Sequence, residues 1–450
     1  MTTTPINTIQ SEFLAQLPHH HLIVEADTGS GKSTRLPLWI ANHNPAKKVL
    51  IIEPRRIACV ALATYVATLA KTQLGQDVGY AIRFDQKFNS ATRILFVTPG
   101  IALRWLADNQ LSDYATIMID EFHERRWDTD LLLALLKKKN QHRLIITSAT
   151  IKGQQLANYL GGKRLTSEGR MFPVTTRYLS TKPQQMPSTR DLDKRIQHAC
   201  KVAIEQLENV KKNHDILVFL PGKKEIHSAA QQLKDIDADV IGLSASASPQ
   251  EQQRALNQQP QRRIILSTNV AETSLTIPNV GVVIDSGMER RTHQRNGRTV
   301  LGLDPISKAS ADQRKGRAGR LFEGICIRLW GEHAPLTDTT PPEILREELT
   351  ELVLAAACNQ TPINDLDFPE PLPEKSLEVA TTRLLAMNAI NDAGLATEHG
   401  KQLYPLPIDS LFSHLITAMP NQSCKIAMVD VIAALSVNQN YHYCFYQLQT

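Results

Sequence analysis

Short apolar runs alternate with amphipathic stretches along the first two thirds of the chain. Each run is four or five residues long and rich in Ile, Val and Leu, which is typical of buried strands. The first group of runs is Leu22–Ala26, Val49–Glu53, Ile94–Thr98, Thr116–Asp120 and Leu144–Ser148. Strands that alternate with helical stretches pair in parallel, so this group predicts a doubly wound α/β domain.

The same pattern starts again in the second half of the chain. Its runs are Ile216–Leu220, Val240–Leu243, Ile264–Ser267, Val282–Asp285 and Ile325–Leu329. Since 450 residues are too many for one core, the sequence predicts two α/β domains in tandem, at residues 1–168 and 169–333. The linker is predicted near Glu168-Gly169-Arg170, in a stretch that mixes Gly, Pro, Ser and Lys.

Beyond Trp330 the strand pattern fades. The segment Thr339–Glu343 is typical of a turn that opens a helix at about Ile344, and the rest of the pattern is mainly helical. We assign residues 334–390 and 391–450 to two further domains. The last one stops without a closing signal, as expected for a piece of a longer protein.

The composition indicates a reduced protein without a membrane segment. The six cysteines are scattered, with no C-x-x-C pair and no zinc-like spacing. No apolar run approaches the roughly 20 residues that span a bilayer. A net charge of +5 and a pI near 8.8 permit a polyanionic partner without requiring one. We therefore expect a cytoplasmic monomer.

A phosphate loop is predicted at Ala26–Thr34, between the first strand and the helical stretch Leu36–Asn42. Its small residues let backbone N–H groups point into one concavity, and the helix N-terminus adds positive potential. Lys32 can reach the β- and γ-phosphates of a nucleotide, and Ser33 can bind Mg²⁺. Ala26 stands where such loops usually begin with glycine.

A pair of carboxylates, Asp120 and Glu121, ends the fourth run. Hydrolysis of a nucleotide needs one carboxylate for the metal and one to deprotonate water. We assign Asp120 to Mg²⁺ and Glu121 to the general base. Such a pair alone is equally typical of an acidic first turn of a helix, but the phosphate loop upstream favours the catalytic interpretation.

The arginine-rich segment Gln313–Arg320 belongs to the second predicted domain. If it is helical, its arginines share one face and can stabilise charge on a transferring phosphoryl group. A nucleic-acid-binding or solvated basic face is the alternative. Since the phosphate loop belongs to the first domain, the active site is predicted in a cleft that closes between the two domains.

Eight segments match helicase motifs in their family order: Ala26–Thr34 (I), Pro54–Ala58 (Ia), Thr98–Gly100 (Ib), Asp120–His123 (II), Ser148–Thr150 (III), Leu217–Gly222 (IV), Ser267–Ser274 (V) and Gln313–Arg320 (VI). The chain thus resembles superfamily-2 helicases of the DEAH/RHA group, most of all the bacterial HrpB type. This resemblance implies two RecA-like domains, then a winged-helix-like domain and the start of a helical ratchet-like domain. It also implies ATP and Mg²⁺ as cofactors.

The resemblance implies roles for particular residues. The implied nucleotide-binding residues are Thr28, Gly29, Ser30, Gly31, Lys32, Ser33 and Thr34, with Asp120, Glu121, Gln313, Arg317 and Arg320. His123 is implied to couple the ATP state to domain closure, and Ser148 and Thr150 to couple hydrolysis to strand movement. The implied RNA-backbone contacts are Arg55, Arg56, Thr98, Thr268 and Asn269.

The sequence departs from the family pattern in two ways. Phe122 stands where the family name has alanine. Tyr65 and Met288 occupy positions where relatives carry an arginine and an aromatic residue that cover the base of ATP. Tyr and Met can hold a purine by stacking and sulfur contact, but packing of Tyr65 within a helix explains it equally well.

The segment Met288–Leu301 predicts a β-hairpin, since Asn296-Gly297 suits a tight turn. Its arginines, which include Arg291, Arg295 and Arg298, are predicted to face a nucleic-acid backbone. A solvated ribbon is the alternative. The family resemblance implies a wedge at the path of the strand.

The resemblance implies an ATP-driven helicase that moves 3′ to 5′ on single-stranded or partly duplex RNA. An RNA-stimulated ATPase that remodels ribonucleoprotein and a DNA translocase are alternatives. A nucleotide-binding scaffold without turnover is disfavoured, because Glu121, Arg317 and Arg320 are present.

Overall fold

The computed structural model describes residues 4–27, 29–149, 153–167, 172–209, 213–244, 246–272, 277–295, 298–406 and 408–436. The chain separates into two compact units. The first contains Met1–Glu347 and Phe368–Glu370, and the second contains Glu348–Asp367 and Pro371–Thr450. Both predicted α/β domains lie in the first unit.

An eight-stranded sheet forms the first α/β domain. Its strands are β1 (Leu22–Ala26), β2 (Lys48–Ile52), β3 (Val78–Ile82), β4 (Asp85–Lys87), β5 (Ile94–Val97), β6 (Tyr114–Ile119), β7 (Arg143–Ser148) and β8 (Lys163–Ser167). Their order is β4-β3-β5-β2-β6-β7-β1-β8, and all pairs are parallel except β3 with β4. All the predicted runs are confirmed as strands, within two residues at each end.

Helices cover both faces of this sheet. They are α1 (Gln10–Gln16), α2 (Lys32–His43), α3 (Arg56–Leu69), α4 (Pro99–Ala107), α5 (Trp127–Lys139) and α6 (Gly153–Leu160). Phe13 of α1, Trp39 of α2 and Val66 of α3 pack with Phe96 of the interior strand β5 in one buried cluster. This packing fixes the helix α2, which follows the predicted phosphate loop.

A six-stranded parallel sheet forms the second α/β domain. Its strands are β9 (Val174–Tyr178), β10 (Asp215–Phe219), β11 (Asp239–Leu243), β12 (Arg263–Ser267), β13 (Val280–Asp285) and β16 (Gly324–Arg328), in the order β11-β12-β10-β13-β16-β9. Its helices are α7 (Leu192–Asn209), α8 (Lys223–Gln232), α9 (Pro249–Leu256) and α10 (Lys308–Gly316). The second group of runs is confirmed, and the predicted linker lies outside the described residues.

Strands β14 (Met288–Arg295) and β15 (Arg298–Pro305) form the predicted hairpin. They pair antiparallel over their full length, from Met288 with Pro305 to Arg295 with Arg298. The turn residues Asn296-Gly297 lie outside the described residues. The hairpin is longer than the two short strands that the sequence predicts.

The second unit is helical, as predicted, with α11 (Thr350–Cys358), α12 (Glu374–Ala386), α13 (Glu398–Leu403), α14 (Ser410–Thr417) and α15 (Gln422–Ser436). All residues of α11 except the half-buried Glu351 are buried, so α11 is the core helix of this unit. The helix predicted from Ile344 begins instead at Thr350, because Glu343–Leu345 forms a single 3-10 turn. Among the described helices, none is long and apolar enough to cross a membrane.

Candidate nucleotide site

The predicted phosphate loop connects β1 to α2 at the carboxyl edge of the first sheet. Gly29 and Gly31 have φ angles of +85° and +96°, a left-handed conformation that glycine adopts at little cost. Lys32 is the first residue of α2 and is 2% exposed, and Thr34 Oγ1 donates to Gly31 O at 3.1 Å. Thr28 lies outside the described residues. The loop therefore places a buried cation at a helix N-terminus, as phosphate binding requires.

Asp120 and Glu121 lie buried directly after β6. Asp120 Oδ1 accepts the N–H of Glu121 at 3.0 Å and the hydroxyl of Thr147 on β7. Because β7 lies between β6 and β1 in the sheet, Thr147 holds the carboxylates beside the phosphate loop. The Ser33 hydroxyl also faces Asp120 and stabilises its charged form. The sheet thus brings both predicted Mg²⁺ ligands together.

Lys32 and Glu121 form a buried ion pair, with Nζ and Oε1 3.0 Å apart. Burial raises the pKa of Glu121, but Lys32 and His123 outweigh it and lower the pKa to about 2. Burial and the neighbouring Glu121 raise the pKa of Asp120. Burial lowers the pKa of His123, whose Nε2 lies 3.4 Å from Glu121 Oε2. Glu121 is therefore the ionised partner of Lys32.

The loop after β6, which we call the carboxylate loop (residues 120–125), has an unusual backbone. Glu121 and Arg125 have φ angles of +50° and +46°, and a 3-10 turn at Phe122–Glu124 lies between them. Left-handed non-glycine residues cost free energy and persist only where the surroundings enforce them. The buried Phe122 ring supplies such an anchor, with the Arg125 guanidinium 5.3 Å above its centroid. The departure from alanine thus adds core packing to this loop.

Arginines of the second domain reach this site. The guanidinium of Arg320 lies against the phosphate loop: a Cβ at Gly29 would be 3.3 Å from Arg320 Cζ. Arg317 Nε donates to Glu272 O at 2.8 Å, and Glu121 acts electrostatically on both arginines. Burial lowers the pKa of Arg320 to about 10. Helix α10 ends at Gly316, so the condition under which these arginines would share a helical face is not met: both lie in the turns after the helix.

Arg314 is the buried anchor of this segment. The sequence had not predicted a role for it. It pairs with Glu272 Oε2 at 2.8 Å and with Asp285 Oδ1 at 2.9 Å. Its guanidinium also lies 5.0 Å from the ring centroid of Phe219. Gln313 precedes it on α10 and is partly exposed. Arg314 and Glu272 therefore position the turn that carries Arg317 and Arg320.

The residues implied to contact RNA lie at the carboxyl edges of both sheets. Thr98 and Thr268 are partly exposed and follow β5 and β12, and Arg56 and Asn269 are exposed. Arg55 differs, because its guanidinium pairs with Glu124 at 2.9 Å and donates to Asn269 O at 2.5 Å. In this structure Arg55 links the two α/β domains.

The remaining predicted residues lie in varied surroundings. Ser148 ends β7 and is buried, and Thr150 lies outside the described residues. Tyr65 on α3 is 55% exposed, whereas Met288 at the start of β14 is 6% exposed. Arg291 pairs with Glu289. The side chains of Arg295 and Arg298 lie outside the description, so the predicted roles of these residues stay predictions.

A basic and aromatic surface of the first domain was not found from the sequence. Arg56, Arg83 and Arg104 lie close together: burial and then the positive charges of Arg104 and Arg56 lower the pKa of Arg83. Phe84 beside them has φ +67° and is 87% exposed, with the Arg83 guanidinium 5.0 Å from its ring. The three arginines come from three separate elements, so no local sequence pattern predicts that they meet. The one signal of this surface in the sequence was Phe84, an aromatic residue in a polar turn.

The site has the atoms that Mg²⁺ and a triphosphate need. Within the part of the chain that the structure describes, Asp120 Oδ2, Glu121 Oε2 and Ser30 Oγ are buried without a hydrogen-bond partner. Buried polar atoms are nearly always satisfied, so orphaned oxygens at a phosphate loop indicate a ligand. A hard cation prefers such oxygen ligands. The donor set therefore fits Mg²⁺ held by Ser33 and Asp120.

Comparison with known proteins agrees with this geometry. Residues 7–159 match the family described as DEAD/DEAH box helicase, and residues 195–322 match the helicase conserved C-terminal domain. The two matches cover the two α/β domains, which are RecA-like. The chain belongs to the DEAD/DEAH-box helicases, which confirms the resemblance read from the motifs.

The chain is similar to DEAH-type helicases. ATP-dependent RNA helicase DHX33 of Drosophila melanogaster is 34% identical, over 92% of this chain and 63% of that protein. ATP-dependent RNA helicase HrpA of Escherichia coli is 33% identical, over 96% of this chain and 35% of that protein. The crystal structure of Escherichia coli DEAH/RHA helicase HrpB superposes with a TM-score of 0.85 and 30% identity, over 97% of this chain and 57% of that one. The chain thus spans only part of each relative.

Proposed function

We propose that this chain hydrolyses ATP to move on and unwind or remodel RNA, from 3′ to 5′. The observation that carries the proposal is the position of Arg320. It reaches from the second domain to Gly29 of the phosphate loop, beside the buried pair of Lys32 and Glu121. Because groups from both domains surround one phosphate site, nucleotide binding and hydrolysis control the closure of the two domains. The names of the relatives support RNA as the strand.

The ion pair suggests how hydrolysis begins. Without nucleotide, Lys32 neutralises Glu121 at 3.0 Å. A γ-phosphate at the loop competes for Lys32, which frees Glu121 to accept a proton from water. Arg317 and Arg320 then stabilise negative charge on the transferring phosphoryl group. Mg²⁺ held by Ser33 and Asp120 would neutralise the β- and γ-phosphates.

The basic surface supports a nucleic-acid path. Arg56, Arg83 and Arg104 offer cations for a phosphate backbone, and the exposed Phe84 ring offers a stacking surface for a base. Partly exposed Thr98 extends this surface along the carboxyl edge. Such contacts hold a strand without reading its sequence.

The test is the ATPase rate of one preparation with single-stranded RNA, single-stranded DNA and no nucleic acid. Stimulation by RNA alone supports the proposal. Equal stimulation by DNA would point to a DNA translocase, and stimulation without any strand separation would point to ribonucleoprotein remodelling. Absence of ATP turnover under all three conditions would refute the proposed function.

Arg320→Ala is expected to lower kcat roughly 10- to 100-fold with little change in ATP affinity, because Arg317 remains and phosphate binding rests on the first domain. Steady-state kinetics and nucleotide titration measure the two effects. Arg254→Ala is the control, since Arg254 is an exposed arginine of the same domain that pairs with Asp239. A loss of ATP affinity as large as the loss of kcat would contradict the assignment of Arg320 to stabilising the transferring phosphoryl group.

Removing the hairpin tip is expected to impair duplex separation while leaving RNA-independent ATPase nearly intact. His293 pairs with Val300, so replacing His293–Val300 by Asn-Gly keeps the register of the remaining strands. A wedge separates strands only if it is a rigid obstacle, which the shortened hairpin no longer provides. Leu301, whose side chain is 59% exposed, flanks the new turn. Gel-based unwinding and ATPase assays measure the two activities. Unchanged unwinding would leave the hairpin as ordinary surface.

A further inference from the structure

Residues 341–347, which we call the strap, lie between the carboxylate loop and the hairpin. At one end the N–H of Glu343 donates to Arg125 O at 2.9 Å. The Glu343 carboxylate accepts the N–H of Trp127 at 3.0 Å. These partners directly follow the turn that carries Glu121 and His123, so the strap is fastened to the site of the general base.

The other end of the strap is fastened to the hairpin. Arg346 Nη1 donates to Thr292 Oγ1 at 2.7 Å and to the backbone oxygen of Thr292. The Thr292 hydroxyl donates to the Glu347 carboxylate. Thr292 lies on β14, paired with Leu301 of β15. One residue of the hairpin therefore carries most of this attachment.

The two ends of the strap are joined to each other. Arg346 lies 3.5 Å from Glu343 and 3.2 Å from Glu347, and the side chains of all three are at most 15% exposed. Ile344 between them is fully buried. Breaking a buried ion pair is costly because it leaves a charge without compensation. The strap therefore moves as one piece instead of stretching.

We propose that the strap couples the nucleotide state of the carboxylate loop to the position of the hairpin, with Thr292 and Arg346 as positioning residues. The inference rests on the proposed function. When a phosphate draws Lys32 from Glu121, the carboxylate loop readjusts, and its last residue Arg125 and the nearby Trp127 carry the strap with them. The hairpin follows through Thr292. The nucleotide site and the strand-separating element are thus joined by a chain of hydrogen bonds.

A static brace and a coupling element predict different results. If the strap only braces the fold, its loss lowers the melting temperature and all activities together. If it couples, its loss leaves ATP turnover in place and removes the response of the hairpin to nucleotide. The readout is therefore amide hydrogen exchange of Met288–Arg295, with and without ADP–aluminium fluoride and Mg²⁺.

Thr292→Val removes the hydroxyl at constant shape, and Thr292→Ser keeps it. In the wild type and Thr292→Ser, we expect the nucleotide analogue to change exchange in β14. In Thr292→Val, we expect this change to shrink at least about fivefold, since the hydroxyl makes two hydrogen bonds and even one of ~1 kcal/mol net is worth about that factor. Base pairs separated per ATP should fall by a similar factor, with the basal ATPase rate unchanged.

Arg346→Lys is a second test of the coupling if Thr292→Val destabilises the protein. Lysine keeps the charge beside Glu343 and Glu347 but cannot reproduce the fork that holds both oxygens of Thr292. Arg290→Lys is the matched control, because Arg290 lies on the same strand and pairs with Glu225 outside the strap.

The outcomes separate the two proposals. A wild-type chain that fails to bind the analogue refutes the proposed function and this inference with it. Binding without any change in β14, or a change that persists in both Thr292→Val and Arg346→Lys, refutes the strap alone. An equal effect of Arg290→Lys would also refute it.

Discussion

Lys32→Ala is expected to abolish ATP hydrolysis, with kcat lowered roughly 1000-fold, and to weaken ATP binding at least ~10-fold. Lys32 is the buried cation at the N-terminus of α2 and the partner of Glu121. Hydrogen bonds from a cation to phosphate are worth roughly 1.5–3 kcal/mol in binding, and preorganised charge contributes more in the transition state. Nucleotide titration and single-turnover hydrolysis measure the two losses.

Stability must be separated from chemistry in this variant. Without Lys32, Glu121 keeps a buried charge, and breaking such a pair costs about 3–5 kcal/mol. The double variant Lys32→Ala, Glu121→Gln removes both charges, so it should recover the melting temperature but not the activity. Lys47→Ala, at an exposed lysine of the same domain, serves as the control. Turnover of Lys32→Ala within a few-fold of wild type would refute the phosphate-loop assignment.

Most strands of the two sheets could be predicted because their sequences are apolar on both faces. Buried parallel strands give continuous runs, such as Leu144–Ser148, that stand out from amphipathic helices. Of the missed strands, β4, β8 and β9 lie at sheet edges: β4 is exposed at every position, and β8 alternates between exposed and buried residues. The fourth, β3, lies inside the first sheet, but glycine and alanine interrupt its apolar run. An edge strand has one neighbour and solvent on its other side, so its sequence lacks the apolar run.

The site was predictable where it depends on neighbours along the chain. The Gly-Lys-Ser order and the Asp-Glu pair are local, and the parallel sheet necessarily brings their carboxyl edges together. Contacts between distant segments were not predictable. Arg55 reaches Asn269, and Arg314 reaches Glu272 and Asp285, across intervals that no spacing rule covers. The end of α10 at Gly316 was also missed, since the basic residues beyond it suit a helix.

Glu121→Gln is expected to lower kcat at least ~100-fold while keeping ATP affinity equal to or better than wild type. Glutamine cannot accept the proton of the attacking water. It also no longer competes with phosphate for Lys32, because the ion pair at 3.0 Å is lost. The opposite effects on binding and turnover distinguish this variant from Lys32→Ala. Equilibrium nucleotide binding and pre-steady-state phosphate release are the measurements.

Glu124→Gln is the matched control for this change. Glu124 lies three residues further along the same loop, and its carboxylate pairs with Arg55 instead of Lys32. If Glu121 is the base, Glu124→Gln should lower kcat less than ~10-fold and leave the affinity for ATP as it is. Equal losses in both variants would show that hydrolysis depends on the shape of the carboxylate loop. A lower ATP affinity of Glu121→Gln would contradict the competition for Lys32, because an amide offers the lysine a weaker partner than a carboxylate does.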